Sequence, residues 1–407
     1  MYDVVVIGGG TAGISAAIAS SMLGAKTLVV EKSSMLGGTM TAGGVNYPGL
    51  FFANGKQIIA GPCYDLLLNC GMPTPPTEYP KLKHYLGQTR FNIFSYVALA
   101  EKTLLDLNAE ILYHTSVCKI KDGKKCVKLT LSKKQGLATI ETKCLIDATG
   151  DANAVSLAGF KVEKRQTLQP ATLINNLDGF IPQNIDKEKF IAFAKEQQDL
   201  GNLKKEDTQG GNYYDHLMAK RISMHVYCPD TTTSEGKSQL EISARQTLNR
   251  IINVYRQFNG LENLHVKDFA FECGVRESAT VIGEYKTTTA EYLSGKVYKD
   301  SVCYAYYPID EHLPTGIKKI HLEDGITPTI PYSSLIPKGS KRILVAGKII
   351  SAEPDVTSAI RVQAPCMATG QVAGVSAALC SKNNCLVKKV NLAELKEKLK
   401  NIGAIVP

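Results

Sequence analysis

The fold is decided by the stretch Asp3-Val4-Val5-Val6-Ile7-Gly8-Gly9-Gly10-Thr11-Ala12-Gly13. The apolar, β-branched run before the first glycine predicts a buried strand of a parallel sheet. Gly8, Gly10 and Gly13 then satisfy the spacing G-x-G-x-x-G. In that pattern the first glycine makes a tight turn, the second lets the backbone approach a pyrophosphate, and the third lets the next helix pack on the strand. The stretch therefore predicts the start of a dinucleotide-binding βαβ unit.

The residues that follow complete this unit. Residues 14–23 are rich in alanine and serine and predict a closely packed helix, whose N-terminal amides and dipole favour a pyrophosphate. A second strand is predicted over 26–30, and Glu31 stands at its end, where a carboxylate can accept hydrogen bonds from the adenosine ribose hydroxyls. A glycine-rich turn in another α/β fold is the alternative, which the order strand, glycines, helix, strand and acid disfavours.

A second glycine loop comes directly after this acid. It spans residues 32–44 and contains Gly37, Gly38 and Thr39. An NAD-dependent dehydrogenase does not need this loop, whereas a flavin enzyme does, because its chain must run along the ribityl and isoalloxazine groups without side-chain obstruction. The loop therefore favours FAD, and the lack of His and Cys in residues 39–50 favours non-covalent binding.

On these motifs the chain resembles the large family of FAD-dependent oxidoreductases with a glutathione-reductase-type FAD domain, a group that includes fumarate reductase flavoproteins and thiazole-synthesis proteins. The resemblance implies an α/β fold, in which a Rossmann-like FAD-binding domain carries a second, α+β substrate lobe. It extends to one subfamily through the segments 275–278, 282–285, 307–312, 330–339 and 361–374.

The resemblance also implies which residues contact the cofactor. In the family, the strand end at Ala148 lies beside the FAD, the position of Val117 places a backbone amide against the adenine, and Gly347 approaches the ribityl phosphate. The helix within 361–374 turns its first amides toward the flavin pyrimidine, where they stabilise the negative charge that develops on reduction. The predicted FAD-binding residues are Gly8, Gly10, Thr11, Ala12, Gly13, Glu31, Lys32, Gly37, Gly38, Thr39, Val117, Ala148, Thr149, Gly150, Gly347, Ala368 and Thr369.

We expect the FAD-binding domain to be discontinuous. It would comprise residues 1–60, 100–165 and 340–385, while residues 61–99 and 166–339 would form the substrate domain that covers it. Residues 386–407 predict a C-terminal helix and tail, with Asn391 as the N-cap.

Three side chains are the predicted catalytic residues: Arg276, Arg361 and His312. A guanidinium directly before the flavin-facing helix can clamp a carboxylate or enolate, or stabilise reduced flavin. The alternative is an ion pair that holds the domains together, for instance Arg276 with Glu277 or Glu284. His312, with Asp310 near it in sequence, can act as an acid or base, or else be a structural histidine.

Other candidates have weaker support. His225 with Arg221 is a second acid/base hypothesis, and Cys366 near the helix start is a candidate reactive thiol, for which a small buried residue is the better-supported alternative. Cys63 is a remote candidate for covalent flavin attachment. No metal site is predicted.

The chain also departs from the subfamily it resembles. Members often carry Arg-Arg where this chain has Ala279-Thr280, and Thr-His where it has Glu353-Pro354. Lys348 replaces a usual arginine. These changes weaken the case for a strongly anionic substrate and leave the proton-transfer residue open.

Composition limits the remaining classes. With 47 Lys and Arg against 38 Asp and Glu, the chain carries a net charge of +9 that is scattered, without the basic and aromatic tracts of nucleic-acid binding. It has no apolar run long enough for a membrane span, and its 11 irregularly spaced cysteines suit reduced thiols in the cytosol. A homo-oligomer is left open.

The sequence therefore predicts an oxidoreductase that transfers hydride or electrons between flavin N5 and a small organic substrate. An NADPH-linked disulfide reductase is disfavoured because a second G-x-G-x-x-G and a Cys-x-x-Cys are lacking. The electron donor or acceptor is then a separate, unidentified partner. The alternatives are a flavin-binding sensor or scaffold and a non-redox, flavin-dependent isomerase or hydratase.

Overall fold

The computed structural model describes residues 1–73, 90–165, 167–208, 211–228, 230–313 and 316–407. Its strands are β1 (Tyr2–Ile7), β2 (Thr27–Val30), β3 (Phe52–Ala53), β4 (Lys56–Gln57), β5 (Glu110–Leu112), β6 (Ser116–Asp122), β7 (Val127–Lys133), β8 (Gly136–Asp147), β9 (Val162–Lys164), β10 (Asn175–Asp178), β11 (His265–Phe269), β12 (Ala279–Val281), β13 (Ser301–Tyr304), β14 (Ile309–Leu313), β15 (Gly316–Ile320), β16 (Thr329–Pro331) and β17 (Ile343–Val345).

The α-helices alternate with these strands in the first part of the chain and cluster between β10 and β11 in the middle. They are α1 (Thr11–Met22), α2 (Pro62–Asn69), α3 (Ile93–Asp106), α4 (Asn153–Leu157), α5 (Lys187–Asp199), α6 (Tyr213–Met218), α7 (Ser234–Tyr255), α8 (Thr289–Leu293), α9 (Pro354–Ile360), α10 (Gln363–Lys382) and α11 (Leu392–Asn401). No helix among the described residues is long and apolar enough to cross a membrane.

The central sheet has the strand order β5-β2-β1-β8-β7-β6, with β17 also paired to β8. Strands β5, β2, β1, β8 and β17 run parallel to their neighbours. The first half of β8 pairs antiparallel with β7, and its second half enters the parallel part of the sheet. The carboxyl ends of these five parallel strands therefore meet at one edge, which confirms the predicted Rossmann-like α/β fold.

Helices α1 and α10 pack against each other at backbone distance. A Cβ atom at Gly374 would lie 2.2 Å from the carbonyl oxygen of Ala16, and one at Gly370 would lie 2.3 Å from the carbonyl oxygen of Ala12. Real Cβ atoms do not approach that closely, so these two positions require glycine. The contact holds the first turns of both helices at the same edge of the sheet.

The buried apolar residues form two clusters. One contains residues from 4–155 and 279–404, and the other lies within 171–273, where α5, α6 and α7 pack near the β10–β11 pair. The limits of the two domains stay a prediction, including those of the substrate domain at 61–99 and 166–339. Residues 74–89 of that predicted domain lie outside the described residues.

The backbone at His114 separates β5 from β6, because this residue adopts a left-handed conformation with φ of 49°. The predicted C-terminal helix is α11, and its N-cap is Asn391, whose side-chain oxygen accepts hydrogen bonds from the amides of Ala393 and Glu394.

We expect Gly374→Ala to destabilise the protein by roughly 1–3 kcal/mol or more, because the added methyl group would force α1 and α10 apart. Urea denaturation of the ligand-free wild type and variants measures this loss, so that differences in ligand binding do not contribute. The matched control is Gly10→Ala, since a Cβ there meets no protein atom within 4 Å, and we expect it to cost less than about 1 kcal/mol. Equal stability of wild type and Gly374→Ala would contradict the packing argument.

Candidate functional site

A cavity of about 740 Å³ opens at the carboxyl edge of the central sheet. Gly8 follows β1, Glu31 follows β2, Ala148 follows β8, and Gly347 lies just beyond β17; all four line the cavity. Ligands of open α/β sheets bind at this edge. The volume is within the range of small-molecule and cofactor sites, about 300–1,000 Å³.

The structure brings most of the predicted residues to this cavity. Those that line it are Gly8, Gly10, Thr11, Ala12, Glu31, Lys32, Gly38, Thr39, Ala148, Thr149, Gly150 and Gly347, together with the predicted catalytic residues Arg276, His312 and Arg361.

The glycine turn leaves space that the protein itself does not fill. Gly10 lines the cavity, has φ of −71°, and a Cβ placed on it would meet no protein atom within 4 Å. Neither backbone strain nor a protein contact therefore explains why this residue lacks a side chain. By contrast, a Cβ at Gly13 would lie 1.8 Å from the carbonyl oxygen of Gly8, so that glycine is required by the packing of α1. Gly10 has the properties of a position kept free for a ligand.

Glu31 fixes the turn and still faces the cavity. Its side chain accepts hydrogen bonds from the amides of Gly9 at 2.7 Å and Ser33 at 2.8 Å. A carboxylate has about four acceptor sites, so acceptor capacity remains for the hydroxyl groups of a ligand.

Five predicted cofactor residues do not line the cavity: Gly13, Gly37, Val117, Ala368 and Thr369. Helix α10 begins at Gln363, and the amide of Cys366 already donates to the carbonyl oxygen of Val362 at 3.2 Å. Pro365 has no N–H, so the unpaired amides of the first turn are those of Gln363 and Ala364. Val362, Gln363 and Cys366 line the cavity. Thr369 contacts a residue of the cavity wall, since its hydroxyl accepts a hydrogen bond from the amide of Gly347 at 3.0 Å. A contact of these five residues with a cofactor stays a prediction.

Asp147 shapes the loop that follows β8. Its buried carboxylate accepts hydrogen bonds from the amide and hydroxyl of Thr149 and from the amide of Val155. Burial raises the pKa of Asp147, which these three bonds oppose. The carboxylate therefore holds the segment 148–150 against the cavity.

Arg276 and Arg361 lie near each other in the cavity, and burial followed by the charge of Arg361 lowers the pKa of Arg276. Arg276 donates to the carbonyl oxygen of Pro170 and to the hydroxyl of Thr172. Arg361 donates from Nη2 to the carbonyl oxygen of Asp310, while its Nη1 is buried without a hydrogen-bond partner among the described residues. The lowered pKa of Arg276, about 9, is still above neutral pH, so this side chain is a cation there. Arg361 also stays charged, because a guanidinium is not deprotonated in proteins.

The ion pairs considered for Arg276 from the sequence are not formed. Glu277 instead binds Arg165 at 3.2 Å and accepts hydrogen bonds from the amide and side chain of Gln169. Glu284 accepts from the amide of Gly339. Within the described residues neither Arg276 nor Arg361 has a carboxylate within ion-pair distance.

The same network positions β14. Arg165 also contacts Glu311 at 2.6 Å, and the side-chain oxygen of Gln169 accepts a hydrogen bond from the amide of His312 at 2.8 Å. The hydroxyl of Ser358, on α9, accepts from the amide of Asp310. Because alternate residues of a strand share a face, Asp310 and His312 both point into the cavity.

Three side chains form a continuous polar chain there. Nε2 of His312 lies 3.3 Å from Oδ2 of Asp310, and its Nδ1 lies 3.1 Å from Nε2 of His225. Both ring nitrogens of His312 are therefore engaged by protein groups. Oδ1 of Asp310 is buried without a partner among the described residues.

The cysteine candidates have no support from the geometry. Burial raises the pKa of Cys366 to about 12, so its thiol is protonated at neutral pH, although it does line the cavity. Cys63 is fully buried, accepts a hydrogen bond from the hydroxyl of Ser15, and does not line the cavity.

Basic residues outnumber acidic ones on the cavity wall. Seven Lys or Arg and four Asp or Glu line it among the described residues. Arg90 and Lys237 were not singled out by the sequence, because they stand outside any motif and reach the cavity only through the fold. The excess predicts that the cavity attracts anionic ligands.

The buried histidines predict how stability depends on pH. Burial lowers the pKa of His225 to about 3 and also lowers the pKa of His312 and His216. Below pH ~6.5 the unfolded chain takes up protons at these residues, whereas the folded protein does so only at lower pH. The free energy of unfolding should therefore fall as the pH is lowered from 7 toward 4, by up to about 1.4 kcal/mol per pH unit for each proton.

Urea denaturation at several pH values measures this slope. The variant His225→Asn should show a shallower decline than wild type over the same range. Parallel slopes for the two proteins would show that His225 titrates in the folded state as it does in the unfolded chain.

Part of the chain is similar to the thiamine thiazole synthase of Methanococcus vannielii: the two are 30% identical over 167 residues, which make up 38% of this chain and 58% of that enzyme. This match thus spans little more than half of that relative's length. Among solved structures, the chain is similar to a geranylgeranyl bacteriochlorophyll reductase-like protein from Thermoplasma acidophilum, with a TM-score of 0.47 and 12% identity over 99% of this chain and 84% of that chain. It is also similar to the anhydrotetracycline hydroxylase OxyS from Streptomyces rimosus, with a TM-score of 0.44 and 13% identity over 98% of this chain and 65% of that chain.

The profile of the family described as FAD dependent oxidoreductase matches residues 3–399. The match includes the glycine turn, the segments around the cavity and α10. The resemblance seen in the sequence is therefore confirmed: the protein belongs to the FAD-dependent oxidoreductase family.

Proposed function

We propose that the protein is an FAD-dependent oxidoreductase that acts on a small organic anion. The observation that carries this proposal is the pair of cavity-lining cations, Arg276 and Arg361, which lack a carboxylate partner in the described part of the chain. A buried donor without a partner, such as Nη1 of Arg361, costs free energy. A substrate carboxylate or enolate would satisfy it with charge-assisted hydrogen bonds.

The residues at the other end of the cavity fit FAD. Gly10 leaves room for the pyrophosphate, the first amides of α1 would bind it, and Glu31 would accept hydrogen bonds from the adenosine ribose. Gly347 and Thr39 would flank the ribityl chain. When bound, FAD supplies hydride or electron transfer at flavin N5.

The protein groups around the substrate would orient it and exclude water. Arg276 is fixed by Pro170 and Thr172, and Arg361 is fixed by the backbone of Asp310. A guanidinium that is held at one end is pre-organised to bind a carboxylate at the other. Such a clamp supports a substrate with at least one negative charge, although the chain has Ala279-Thr280 where subfamily members carry Arg-Arg.

A redox role is favoured over a sensor or scaffold role, because a passive flavin-binding protein does not need unpaired cations at the inner wall. A non-redox isomerase or hydratase would use the same clamp, so turnover in the absence of any electron acceptor would identify that alternative. The electron donor or acceptor is a separate molecule.

FAD binding is tested with purified protein. We expect a yellow protein that releases FAD on denaturation, and we expect Gly10→Ala to weaken FAD binding at least ~10-fold, because the new methyl group occupies space in the cavity. Isothermal titration of FAD into the apoprotein measures the affinity. A colourless protein that binds no added FAD would end this proposal.

The anion clamp is tested by Arg361→Gln. Loss of one charge-assisted hydrogen-bonding group should weaken the binding of oxalate to the FAD-loaded protein by roughly 10- to 100-fold. Arg361→Lys should be intermediate, since it keeps the charge and loses the planar fork. Arg245→Gln, an arginine that pairs with Glu241 on the exposed face of α7, is the matched control. Unchanged oxalate affinity in Arg361→Gln, or equal binding of neutral oxamide by wild type, would contradict the proposal.

A further inference from the structure

The chain of polar side chains from Asp310 to His225 has a defined direction. An ionised carboxylate only accepts hydrogen bonds, and Nε2 of His312 lies at ion-pair distance, 3.3 Å, from Oδ2 of Asp310. A lone pair on Nε2 would face this negative charge, so the proton of a neutral His312 belongs on Nε2. In a neutral imidazole the other nitrogen is then an acceptor. Nδ1 of His312 therefore accepts from Nε2–H of His225 at 3.1 Å.

This direction leaves Nδ1 of His225 without a proton. Its side chain makes no other hydrogen bond with a described residue, and His225 lines the cavity together with Arg276 and His312. The backbone amide of His225 donates to the carbonyl oxygen of Asp207, and the adjacent Val226 pairs with Ala171, so the main chain is held on both sides. The lone pair of Nδ1 is thus a fixed acceptor of the cavity.

The charges around these groups support the same protonation states. Neighbouring His312 and Arg361 lower the pKa of Asp310 against the effect of its burial, which keeps it ionised. Burial, Arg276 and Arg361 lower the pKa of His312, and burial, Arg276, His312 and His216 lower that of His225. Both rings are therefore neutral near pH 7.

We propose that Nδ1 of His225 is the atom that accepts the substrate's proton, and that Asp310 and His312 are positioning residues that fix its tautomer. The inference rests on the proposed function and assigns the substrate to the hydroxycarboxylates: the carboxylate binds the arginine pair and the hydroxyl donates to His225. In the transfer the O–H bond breaks, its electron pair stays on oxygen, and an N–H bond forms at Nδ1. The resulting imidazolium keeps its Nε2–H bond to His312, beyond which lies the carboxylate of Asp310.

A weak base suits this proton. A hydroxyl becomes much more acidic as its carbon turns into a carbonyl carbon, so the base does not need a high pKa. His312, which the sequence favoured for this role, has both nitrogens engaged and acts through His225. This division of roles parallels other relays in which a carboxylate fixes a histidine tautomer.

The tautomers are measured directly by NMR of protein labelled with ¹⁵N in the rings of its 7 histidines, with assignment by single variants. In wild type we expect a proton on Nε2 and none on Nδ1 for both His225 and His312. In Asp310→Asn the side-chain amide can donate to Nε2 of His312, so both rings should switch and Nδ1 of His225 should become protonated. A protonated Nδ1 of His225 in wild type would overturn the inference.

Ligand binding gives an independent measurement. Glycolate and 3-hydroxypropionate are compared with acetate and propionate, which lack the hydroxyl, by titration into the FAD-loaded protein. We expect at least one hydroxy acid to bind about fivefold more tightly than its matched acid, and this advantage to disappear in His225→Phe. The control His321→Asn, at an exposed histidine, should retain it.

The results separate the two proposals. If the protein binds neither FAD nor oxalate, the proposed function fails, whereas the tautomers of His225 and His312 can still be read. If FAD and oxalate bind but the hydroxyl brings no advantage in wild type, or if a folded His225→Phe keeps that advantage, the role of His225 fails and the anion clamp stands. If His225→Phe does not fold, the affinity advantage of the hydroxy acids is measured in Asp310→Asn instead. Where NMR shows that Nδ1 of His225 is protonated in this variant, the advantage should disappear, because a protonated nitrogen cannot accept a hydrogen bond from the hydroxyl.

Discussion

The contact between α1 and α10 is the constraint on which the rest of the structure depends. The two helices meet at backbone distance through Gly370 and Gly374. Because side chains cannot separate them, their first turns arrive together at the carboxyl edge of the sheet, and both line the cavity. Each first turn carries unpaired amides and the positive end of a helix dipole. The packing of two helices thus creates the anion-attracting end of the site before any charged side chain is added.

The substrate end of the cavity depends on a different interaction, the burial of charge in β14 and its neighbours. Glu277 is satisfied by Arg165 and Gln169, and Gln169 in turn holds the amide of His312. A buried carboxylate without these partners would be costly. Since the network uses Glu277 and Glu311 for Arg165, no carboxylate of the described residues lies within ion-pair distance of the two cavity arginines. The excess positive charge at Arg276 and Arg361, which favours a bound anion, therefore follows from the pairing of Glu277 and Glu311 with Arg165.

These two ends differ in how far the sequence predicts them. Local sequence patterns predict the cofactor end of the cavity. They are the glycine turn, the acid at Glu31 and the strand end at Ala148, and the structure brings all three to one cavity. The alternation of Asp310 and His312 was also available from strand periodicity. The sequence does not predict which side chains meet across long distances in the chain. His225, the partner of His312, lies 87 residues away from it. Arg165, the partner of Glu277, lies 112 residues away from it. Ala368 and Thr369 do not line the cavity for a third reason: α10 begins at Gln363, so both residues lie beyond its first turn, which carries the free amides.

The same difference explains why a cofactor is easier to recognise than a reaction. A dinucleotide is bound by backbone amides, which it can approach only where side chains are absent. Closely spaced glycines in the sequence therefore indicate its site. A substrate is held by side chains that meet only after folding, and the fold itself permits many reactions. The chemistry must therefore be inferred from groups that the protein leaves incomplete. Nη1 of Arg361 and Nδ1 of His225 are such groups, one a donor and the other an acceptor, on the wall of the same cavity. A molecule that completes both must carry an acceptor anion and a donor, which is a narrower requirement than the flavin scaffold alone imposes.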